Sequence, residues 1–377
     1  MKNSIEEQSK SLKTKKVKVL MITRLCEGEG PTTVLDNLVE YLERRNIEVS
    51  FLAVASAKIN NEKFKRVKYL NNADCIRGKM PEDFWKYDIY HFHGAFLWQF
   101  PIIAKKLNGK PYLITFHGNL AQEALKFHYI RKQIYLTCYA KRFLSGACAF
   151  HALSNNEKKD INRVIVNPTW VIPNGVKTNV DLSCNSAEDS SVFSLIYLGR
   201  IDVQHKGIDY LFDAMEIVLR RDENIVLDVF GGFNSKSDKK WITRRLKKST
   251  RLSDHIRFHG KVFGWEKYNA LNNSKVFILT SRYEGMPMAA LEAMQVGIPI
   301  IVSTQTNLAD IVYKSGAGRV VELNPTKIAD AICEFKSLSK SELNNLGKAG
   351  EKYVKEYMNW NEISFQYRDM YKELGEF

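Results

Sequence analysis

The sequence has few cysteines, no long apolar run and few acidic residues in its first half. Its six cysteines are scattered, without a C-x-x-C pair or a metal-ligand spacing, so we expect buried free thiols in a reducing compartment. No stretch approaches the roughly 18–20 consecutive apolar residues of a membrane-spanning helix. Residues 1–18 are rich in lysine and lack the apolar centre of a signal peptide. We therefore expect a cytoplasmic protein, either soluble or peripheral on the inner face of the cell membrane.

The length of the chain indicates its number of domains, and its charge indicates the kind of partner it binds. Its 377 residues exceed one ordinary hydrophobic core, which rarely grows past about 250–300 residues, so two domains are expected. The net charge of +14 is uneven: residues 1–180 hold 29 Lys and Arg against 16 Asp and Glu, whereas residues 181–377 hold 27 against 26. A basic excess of this size indicates an anionic partner, which is nucleic acid, a phospholipid surface or a phosphorylated ligand.

Short apolar runs alternate with longer helical patterns along the whole chain. Because the runs are continuously apolar, they predict parallel sheets buried on both faces, in two doubly wound α/β domains. We place the domains at 1–176 and 192–359, with a polar linker at Lys177–Ser191 and a final amphipathic helix at 360–377. The predicted strands are Val17–Thr23, Glu48–Val54, Tyr87–Gly94, Pro111–Gly118, Ala149–Ser154 and Thr169–Val176, then Ser194–Arg200, Ile225–Gly232, Ile256–Gly260, Val276–Ser281, Pro299–Ser303 and Gly318–Glu322.

The densest group of candidate site residues follows the predicted strand Val276–Ser281. A loop carries Glu284 and a Gly-Met-Pro sequence, and a helix then runs through Glu292 to about Val296. A helix N-terminus offers unpaired N–H groups and a partial positive charge, which suits a phosphate. Glu292 lies about two turns into this helix, where a carboxylate can accept hydrogen bonds from paired sugar hydroxyls. Taken alone, the two glutamates also fit a helix cap and a solvated helix face.

A second group of candidates follows the predicted strand Ser194–Arg200. Arg200 ends the strand, and Lys206 precedes Gly207 at the start of the next helix. Arginine supplies a planar fork of donors and lysine a point charge, a pair that suits a diphosphate. Taken alone, Arg200 or Lys206 could equally be a solvated cation on a loop. Their position after a central strand favours an anion site, because such sheets bind ligands at the carboxyl ends of their strands.

With Arg200, Lys206-Gly207 and the motif Glu284-Gly-(x)6-Glu292, the sequence resembles the retaining GT-B glycosyltransferases of family 4 over essentially its whole length. The resemblance implies two domains that face a cleft, with the acceptor on the first and a nucleotide-sugar donor on the second. It implies that Arg200 and Lys206 bind the donor pyrophosphate, Glu292 the ribose hydroxyls and Glu284 the donor sugar. It also implies that the last helix packs back on the first domain. The other expected donor contacts are Gly285, Met286, Pro287, Met288 and Ala289.

In the N-terminal half the resemblance places four residues at the cleft. His117 is similar to a catalytic histidine that approaches the donor sugar, although a strand-end histidine satisfied by backbone groups is its alternative. In the family the loop Glu27–Thr33 lines the cleft, and Gly30 corresponds to the residue at which the backbone of this loop makes its close approach. His93 and Asn119 are expected on the acceptor side. The loop around Gly30 does not have the G-x-G-x-x-G pattern, so it gives little support to a dinucleotide site.

The sequence lacks several motifs, and their absence argues against particular classes of enzyme site. No Asp-x-Asp occurs, so a metal-bridged diphosphate is not supported, and Arg200, Lys206 and the helix terminus would neutralise the donor's charge. We expect no metal and no cofactor beyond the UDP- or GDP-sugar substrate. No Walker loop, nucleophile elbow or zinc spacing is present. A nucleotide-sugar epimerase or phosphorylase on the same fold is the alternative function, and nucleic-acid binding is suggested only by the charge.

The basic excess of the first half is explained best by a membrane. The donor needs only Arg200 and Lys206, yet residues 1–180 carry a net charge of +13. The segment Lys126–Leu144 has helical spacing and mixes apolar side chains with Arg131, Lys132, Lys141 and Arg142. Such a segment can lie on an anionic membrane, or it can be a half-buried surface helix. Because family 4 includes enzymes that extend lipid-linked saccharides, the resemblance favours a membrane and a role in cell-surface polysaccharide synthesis.

Overall fold

The structure, a computed structural model, describes residues 16–26, 30–55, 66–177 and 192–375. These residues form two parallel β-sheets, and the predicted fold of two doubly wound domains is confirmed. The strands are β1 (Val17–Thr23), β2 (Ile47–Val54), β3 (Val67–Leu70), β4 (Ile89–His93), β5 (Tyr112–Thr115), β6 (Ala149–Ala152) and β7 (Thr169–Val171), then β8 (Phe193–Leu198), β9 (Ile225–Phe230), β10 (Ile256–Gly260), β11 (Val276–Leu279), β12 (Ile300–Ser303) and β13 (Gly318–Val321).

The strand order places the candidate residues at the middle of each sheet. The first sheet has the order β3-β2-β1-β4-β5-β6-β7 and the second the order β10-β9-β8-β11-β12-β13. Every residue of β4, β5, β11 and β12 is buried, as expected for central strands covered on both faces. The edge strand β3 lies outside the predictions, because only one of its four residues is buried and it lacks a continuous apolar run.

Helices connect the strands in both domains. In the first domain they are α1 (Gly30–Arg44), α2 (Asn72–Arg77), α3 (Gln99–Lys105), α4 (Gln122–Lys126), α5 (Tyr129–Ile134), α6 (Lys141–Ser145) and α7 (Asn155–Val164). After β8 they are α8 (Ile208–Arg221), α9 (Lys236–Lys248), α10 (Thr250–His255), α11 (Gly264–Asn272), α12 (Met288–Gln295), α13 (Ala309–Ser315), α14 (Pro325–Ser337), α15 (Lys340–Tyr357) and α16 (Trp360–Gly375). Short 3₁₀ turns occur at Phe84–Lys86 and Thr304–Thr306, and a π-helical turn at Tyr135–Tyr139.

The last helix, α16, packs on the N-terminal domain against α1, β1 and β4. Its apolar face is completely buried at Trp360, Ile363 and Tyr371. Arg45, just after α1, donates a 2.6 Å hydrogen bond to Asn361 Oδ1 and stacks its guanidinium 3.6 Å from the centre of the Phe365 ring. The C-terminal helix is therefore part of the first domain's core, although it follows the second domain in sequence.

The chain crosses between the domains twice, and the two crossings lie side by side. The Val176 N–H donates to the Met358 carbonyl at 2.7 Å, and the Trp360 N–H donates to the Val176 carbonyl at 3.1 Å. A Cβ on Gly175 would lie only 2.8 Å from the Trp360 ring, so this position requires glycine. Of the predicted linker Lys177–Ser191, residues 178–191 lie outside the described residues.

The segment Lys126–Leu144 is not one continuous helix, in contrast to its helical spacing. His128 has a left-handed backbone (φ +53°), which separates α4 from α5, and a π-helical turn separates α5 from α6. Lys132, expected among the cations of a basic surface, turns inward instead. Its Nζ donates a 2.5 Å hydrogen bond to the Ala124 carbonyl and lies 5.1 Å from the centre of the Phe96 ring.

Two sequence features have simple structural counterparts. The five described cysteines are free, and Cys184 lies outside the described residues. Within the described ranges, none of the helices combines the length and apolarity that crossing a bilayer requires.

Candidate functional site

The two domains touch where β5 ends in the first and where the loop after β11 begins in the second. We call these segments the His117–Gly118 turn and the Glu284–Gly285 loop. A Cβ on Gly118 would lie 2.6 Å from the Gly285 nitrogen and 2.7 Å from the Glu284 carbonyl carbon. A Cβ on Gly285 would lie 2.7 Å from the His117 carbonyl carbon. The backbones are thus in direct contact, and both positions require glycine.

Glu284 is buried beside a lysine. Its Oε1 accepts hydrogen bonds of 2.5 Å from Lys206 Nζ and 2.5 Å from the Ser281 hydroxyl. Burial alone would raise the pKa of Glu284, but the Lys206 charge and the hydrogen bonds from Lys206 and Ser281 outweigh it and hold the pKa below its usual value. The carboxylate is therefore ionised and fixed in orientation at the contact between the domains.

Lys206 reaches Glu284 because its loop lies directly on the end of β11. Gly207 has φ +62°, and a Cβ there would lie 2.0 Å from the Thr280 carbonyl oxygen. The Thr280 hydroxyl donates back to the Gly207 carbonyl at 3.0 Å. Arg282 adds a bidentate ion pair to Asp209, with distances of 2.9 and 2.6 Å. These contacts hold the lysine loop and the glutamate loop in one rigid arrangement.

Arg200 lies on the open side of this arrangement. Its side chain is 45% exposed, and its Nη2 donates to His205 Nδ1 at 3.3 Å. His205 in turn stacks on the Tyr283 ring, with centroids 4.0 Å apart, and donates to the Tyr283 carbonyl at 2.9 Å. Arg200 and Lys206 thus lie at either end of one loop after β8, where an anion can contact both cations.

The helix α12 begins directly after the Glu284–Gly285 loop. Its N-cap, Pro287, makes no side-chain capping bond, so the first N–H groups of the helix have no side-chain cap. Met286, Pro287 and Met288 are buried and Ala289 is half-buried. Because a helix N-terminus carries a partial positive charge, this end of α12 adds to the positive potential of the Arg200 and Lys206 side chains.

Glu292 is also buried and also paired with a lysine, and it lies about one turn into α12 rather than the two turns expected from sequence. Lys267 of α11 donates to Glu292 Oε1 at 2.6 Å. Burial raises the pKa of Glu292, and the Lys267 charge only partly offsets this rise. The two alternatives considered for these glutamates are thus wrong. Glu284 pairs with Lys206 and does not cap the helix, and Glu292 is buried and does not lie on a solvated helix face. Lys267 itself was not predicted, since a lysine in the pattern of a surface helix carries no motif.

Two asparagines outside the candidate site residues hold the Glu284–Gly285 loop. Asn307 Nδ2 donates to the Glu284 carbonyl at 2.6 Å and to the Gly285 carbonyl at 3.2 Å. Asn307 has φ +61°, a left-handed conformation that asparagine tolerates better than most residues. From the other domain, Asn174 donates through its backbone N–H to the Met286 sulfur at 3.3 Å. The loop is therefore supported from both sides of the domain boundary.

Three histidines, on β4 and in the turn after β5, form a cluster beneath the cleft. His93 Nδ1 and His117 Nε2 lie 3.1 Å apart, and the His91 and His93 rings have centroids 4.0 Å apart. His91 bonds to the Tyr371 hydroxyl at 2.7 Å and to the Thr115 hydroxyl at 2.6 Å. Desolvation lowers the pKa of His117 to about 3, so its ring is neutral near pH 7. A neutral imidazole can exchange hydrogen bonds with a sugar hydroxyl without carrying charge.

His93 contributes a buried polar atom that is not satisfied. Within the described part of the chain, its Nε2 is buried and has no hydrogen-bond partner. Burial and the neighbouring histidines hold the pKa of His93 well below its usual value. Since buried ring nitrogens are normally hydrogen-bonded, this atom is an exception within the cluster.

The remaining candidates occupy more peripheral positions. Asn119 Oδ1 accepts a 3.1 Å hydrogen bond from the Ala95 N–H and so ties the loop after β4 to the loop after β5. Gly30 is the exposed first residue of α1, and no described atom lies within 4 Å of the position a Cβ would take. Residues 27–29 of the predicted loop Glu27–Thr33 lie outside the described residues.

One buried carboxylate at the site is absent from the predictions. Glu157, near the start of α7, accepts a 2.5 Å hydrogen bond from the Gly118 N–H. Ser154 caps the same helix, so Ser154-x-x-Glu157 is the kind of sequence that marks a helix start. That pattern locates the helix but does not indicate that the carboxylate reaches the cleft.

In the described ranges, no three His, Cys, Asp or Glu side chains lie close enough together to hold a metal ion. The side chains at the cleft instead combine three cations (Arg200, Lys206 and Lys267), two carboxylates that each pair with a lysine, and neutral histidines. Such a set suits a ligand with both anionic and hydroxyl groups.

Two sequence families match the chain. Residues 28–180 match the family described as "Glycosyltransferase Family 4", and residues 185–353 match the family described as "Glycosyl transferases group 1". The chain is 25% identical, over 76% of its own length and 74% of the relative's, to a GDP-mannose:cellobiosyl-diphosphopolyprenol alpha-mannosyltransferase of Xanthomonas oryzae. It is 29% identical, over 63% of each chain, to a UDP-Gal:alpha-D-GlcNAc-diphosphoundecaprenol alpha-1,3-galactosyltransferase of Escherichia coli.

Among solved structures, the sucrose-phosphate synthase of Thermosynechococcus elongatus superimposes with a TM-score of 0.75. The match covers 95% of this chain and 99% of that one, at 20% sequence identity. The similarity extends over both domains and supports the same two-domain fold.

Proposed function

The chain belongs to family 4 of the glycosyltransferases, and we propose that it transfers a sugar from a nucleotide-sugar to a saccharide or lipid-linked saccharide, with retention of configuration, in cell-surface polysaccharide synthesis. The observation that carries this proposal is the pair Glu284 and Glu292. Both carboxylates are buried beside a lysine, on one loop and helix at the contact between the domains. The two relatives named above act, by their names, on diphosphate-linked polyprenol saccharides, which supports a lipid-linked acceptor.

The donor is placed on the second domain. Its diphosphate contacts Arg200, Lys206 and the N-terminus of α12, where cations and helix N–H groups converge. Glu292 accepts hydrogen bonds from the ribose hydroxyls, and Lys267 orients its carboxylate. Glu284 and His117 contact the hydroxyls of the sugar, one as an ionised acceptor and the other as a neutral ring.

The chemical step replaces one bond at the anomeric carbon. The bond from C1 to the diphosphate oxygen breaks, and the acceptor hydroxyl oxygen bonds to C1 from the same face. The proton of that hydroxyl passes to the departing phosphate oxygen. Lys206 stabilises the charge that develops on the diphosphate, and contact between the domains excludes water from the cleft. Glu284 is held by Lys206 and Ser281, which suits an orienting role better than a covalent one.

The acceptor is placed on the first domain, next to His93 and Asn119. The unpartnered His93 Nε2 is a suitable contact for an acceptor hydroxyl. An epimerase or phosphorylase on the same fold would consume the donor without a saccharide acceptor, the former by isomerisation and the latter with phosphate. Donor consumption with and without acceptor, and with and without phosphate, therefore separates the three activities.

A nucleotide-binding screen tests the donor site. We expect one nucleoside diphosphate of a panel that includes UDP and GDP to raise the melting temperature, and the matching monophosphate to raise it less. A ligand present at 100 times its Kd stabilises a folded protein by about 2.7 kcal/mol, a shift that thermal melting detects readily. If no nucleotide stabilises the protein, the assignment of the donor site is wrong.

We also propose that the first domain binds an anionic phospholipid bilayer. Ile130 and Ile134 are 72% and 57% exposed, and Tyr129 and Tyr139 are exposed with them. We call these four residues the apolar N-terminal surface. The exposed cations Arg131, Lys141 and Arg142 occur in the same segment. Apolar side chains among cations match a surface of anionic headgroups over acyl chains, and the +13 charge of residues 1–180 supports this partner.

Replacing Ile130 and Ile134 together by glutamate is expected to reduce vesicle binding at least about tenfold, because each buried isoleucine contributes roughly 1.5–3 kcal/mol. The measurement is co-sedimentation with vesicles of phosphatidylglycerol and phosphatidylcholine. Tyr313→Glu is the matched control, since Tyr313 is 72% exposed on the second domain. Equal binding of the double variant and the control would refute the proposed surface.

A further inference from the structure

Glu157 links two strand ends of the first domain through backbone groups. Its side chain is 2% exposed, and its two oxygens accept separate hydrogen bonds. Oε1 accepts from the Gly118 N–H at 2.5 Å, after β5, and Oε2 accepts from the Leu153 N–H at 2.6 Å, after β6. The Glu157 N–H donates to the Ser154 hydroxyl at 3.0 Å, so the residue is itself fixed at the start of α7. The carboxylate therefore determines where Gly118 lies relative to the neighbouring strand.

The turn that Glu157 holds has an unfavourable backbone. His117 has φ +52° and Gly118 has φ +77°, two successive left-handed residues. A left-handed conformation is strained for histidine and persists only where surrounding contacts determine it. The turn is in contact with the Glu157 carboxylate, with the His93 ring at 3.1 Å from His117 and with the backbone of the Glu284–Gly285 loop. Glu157 is the charged group among them.

Movement of this turn would reach the donor side directly. The Gly118 backbone packs on that of Gly285, and His117 is the residue proposed to contact the donor sugar. A shift of about 1 Å at reacting groups can reduce a rate about 100-fold, even when the changed residue lies outside the chemistry. The position of His117 therefore depends on a carboxylate that does not touch the substrate.

We propose that Glu157 is a positioning residue, which holds the His117–Gly118 turn against the Glu284–Gly285 loop and keeps His117 in the conformation that transfer requires. This inference rests on the proposed function, because it concerns the step in which His117 contacts the donor sugar. It assigns no contact between Glu157 and a substrate.

The ionisation of Glu157 gives this role a measurable signature. Burial raises the pKa of Glu157 to about 7, against the opposing effect of the Leu153 and Gly118 N–H groups. Asp160 on the same helix raises it further, and the Tyr367 hydroxyl faces the carboxylate from α16. As the pH falls through about 7 the group takes up a proton, and one of its two oxygens becomes a poor acceptor. Transfer by the wild-type protein is therefore expected to decline on the acidic side of neutrality.

The test is the variant Glu157→Gln in the full-length protein, with Asp160→Asn as control. Asp160 lies on the same helix and pairs with Arg163 at 2.6 Å, away from the turn. We expect kcat to fall about 10- to 100-fold in Glu157→Gln, as for the loss of a hydrogen bond to a charged group, with nucleoside diphosphate binding unchanged. Its remaining activity is expected to be independent of pH between 6 and 8, roughly one unit either side of the Glu157 pKa of about 7. Asp160→Asn is expected to keep the wild-type rate and an acidic decline, moved to lower pH because Asp160 no longer raises the pKa of Glu157.

A Glu157→Gln variant with the wild-type rate and the same acidic decline would overturn the inference. If that variant does not fold, hydrogen exchange on the wild-type protein decides instead. Protection of the Gly118 amide, corrected for the intrinsic pH dependence of exchange, should fall between pH 8 and pH 6, and unchanged protection would refute the role. A wild-type protein that neither binds nucleotide nor transfers sugar would refute the proposed function, whereas an active wild type with an equally active Glu157→Gln refutes only this inference.

Discussion

Replacement of Lys206 by methionine is expected to reduce sugar transfer about 100- to 1,000-fold, the usual effect of removing one group that stabilises transition-state charge. Methionine keeps most of the length of the side chain but removes the ammonium that contacts Glu284 at 2.5 Å. Lys239→Met is the matched control, because Lys239 is exposed on α9 and distant in sequence from the cleft loops. The measurement is kcat/KM for transfer, with the melting temperature recorded for each variant.

This variant also leaves a buried charge without its partner. Breaking a buried ion pair by removing one partner costs about 3–5 kcal/mol, and burial would then raise the pKa of Glu284. The double variant Lys206→Met with Glu284→Gln removes the unpaired charge, so we expect it to recover stability without recovering transfer. Recovery of both would mean that Lys206 acts only through stability. Full activity of the single variant would show that Lys206 has no role at the donor.

Replacement of Gly118 by alanine is expected to reduce kcat/KM at least about 100-fold, because misplacement of reacting groups by about 1 Å has effects of this size. The new Cβ would lie 2.6 Å from the Gly285 nitrogen, and backbone atoms cannot move aside as a flexible side chain can. The two domains must therefore separate slightly at the point where donor and acceptor meet.

Gly109 provides a control with the same backbone strain and no clash. It has φ +85°, and no described atom lies within 4 Å of the position its Cβ would take. In both alanine variants the left-handed conformation lowers the free energy of unfolding by roughly 1–2 kcal/mol, but only Gly118→Ala disturbs the contact between the domains. We expect Gly109→Ala to lose stability and keep its activity. If the two variants lose activity equally, the contact between the His117–Gly118 turn and the Glu284–Gly285 loop is not required for transfer.

The fold and the positions of the loop and helix that carry Glu284 and Glu292 were accessible from sequence because they depend on local patterns. Continuous apolar runs predict strands such as β11, and the eight-residue spacing of Glu284 and Glu292 predicts a loop followed by a helix. The carboxyl ends of parallel strands then place Lys206 near Glu284 without knowledge of any contact.

The supporting residues were not accessible in this way, since they act across long separations in sequence. Asn307 holds the carbonyls of the Glu284–Gly285 loop, and Asn174 reaches Met286 from the other domain. Glu157 bonds to Gly118, which is 39 residues earlier. A single asparagine or glutamate is compatible with an exposed loop or helix, so only the folded chain identifies these roles. The break at His128 was not predicted either, because the helical spacing of apolar residues continues across one left-handed residue.

Acceptor-dependent transfer of one sugar tests the central claim most directly. The purified protein is incubated with a nucleotide-sugar chosen by the binding screen and with a saccharide linked to a polyprenyl diphosphate. The masses of the products are then measured by mass spectrometry. We expect one added sugar for each nucleoside diphosphate released, the anomeric configuration of the donor in the product, and no product with Lys206→Met. Consumption of donor at the same rate without acceptor, or an acceptor that stays unmodified with every donor that binds, would contradict a glycosyl transfer at this cleft.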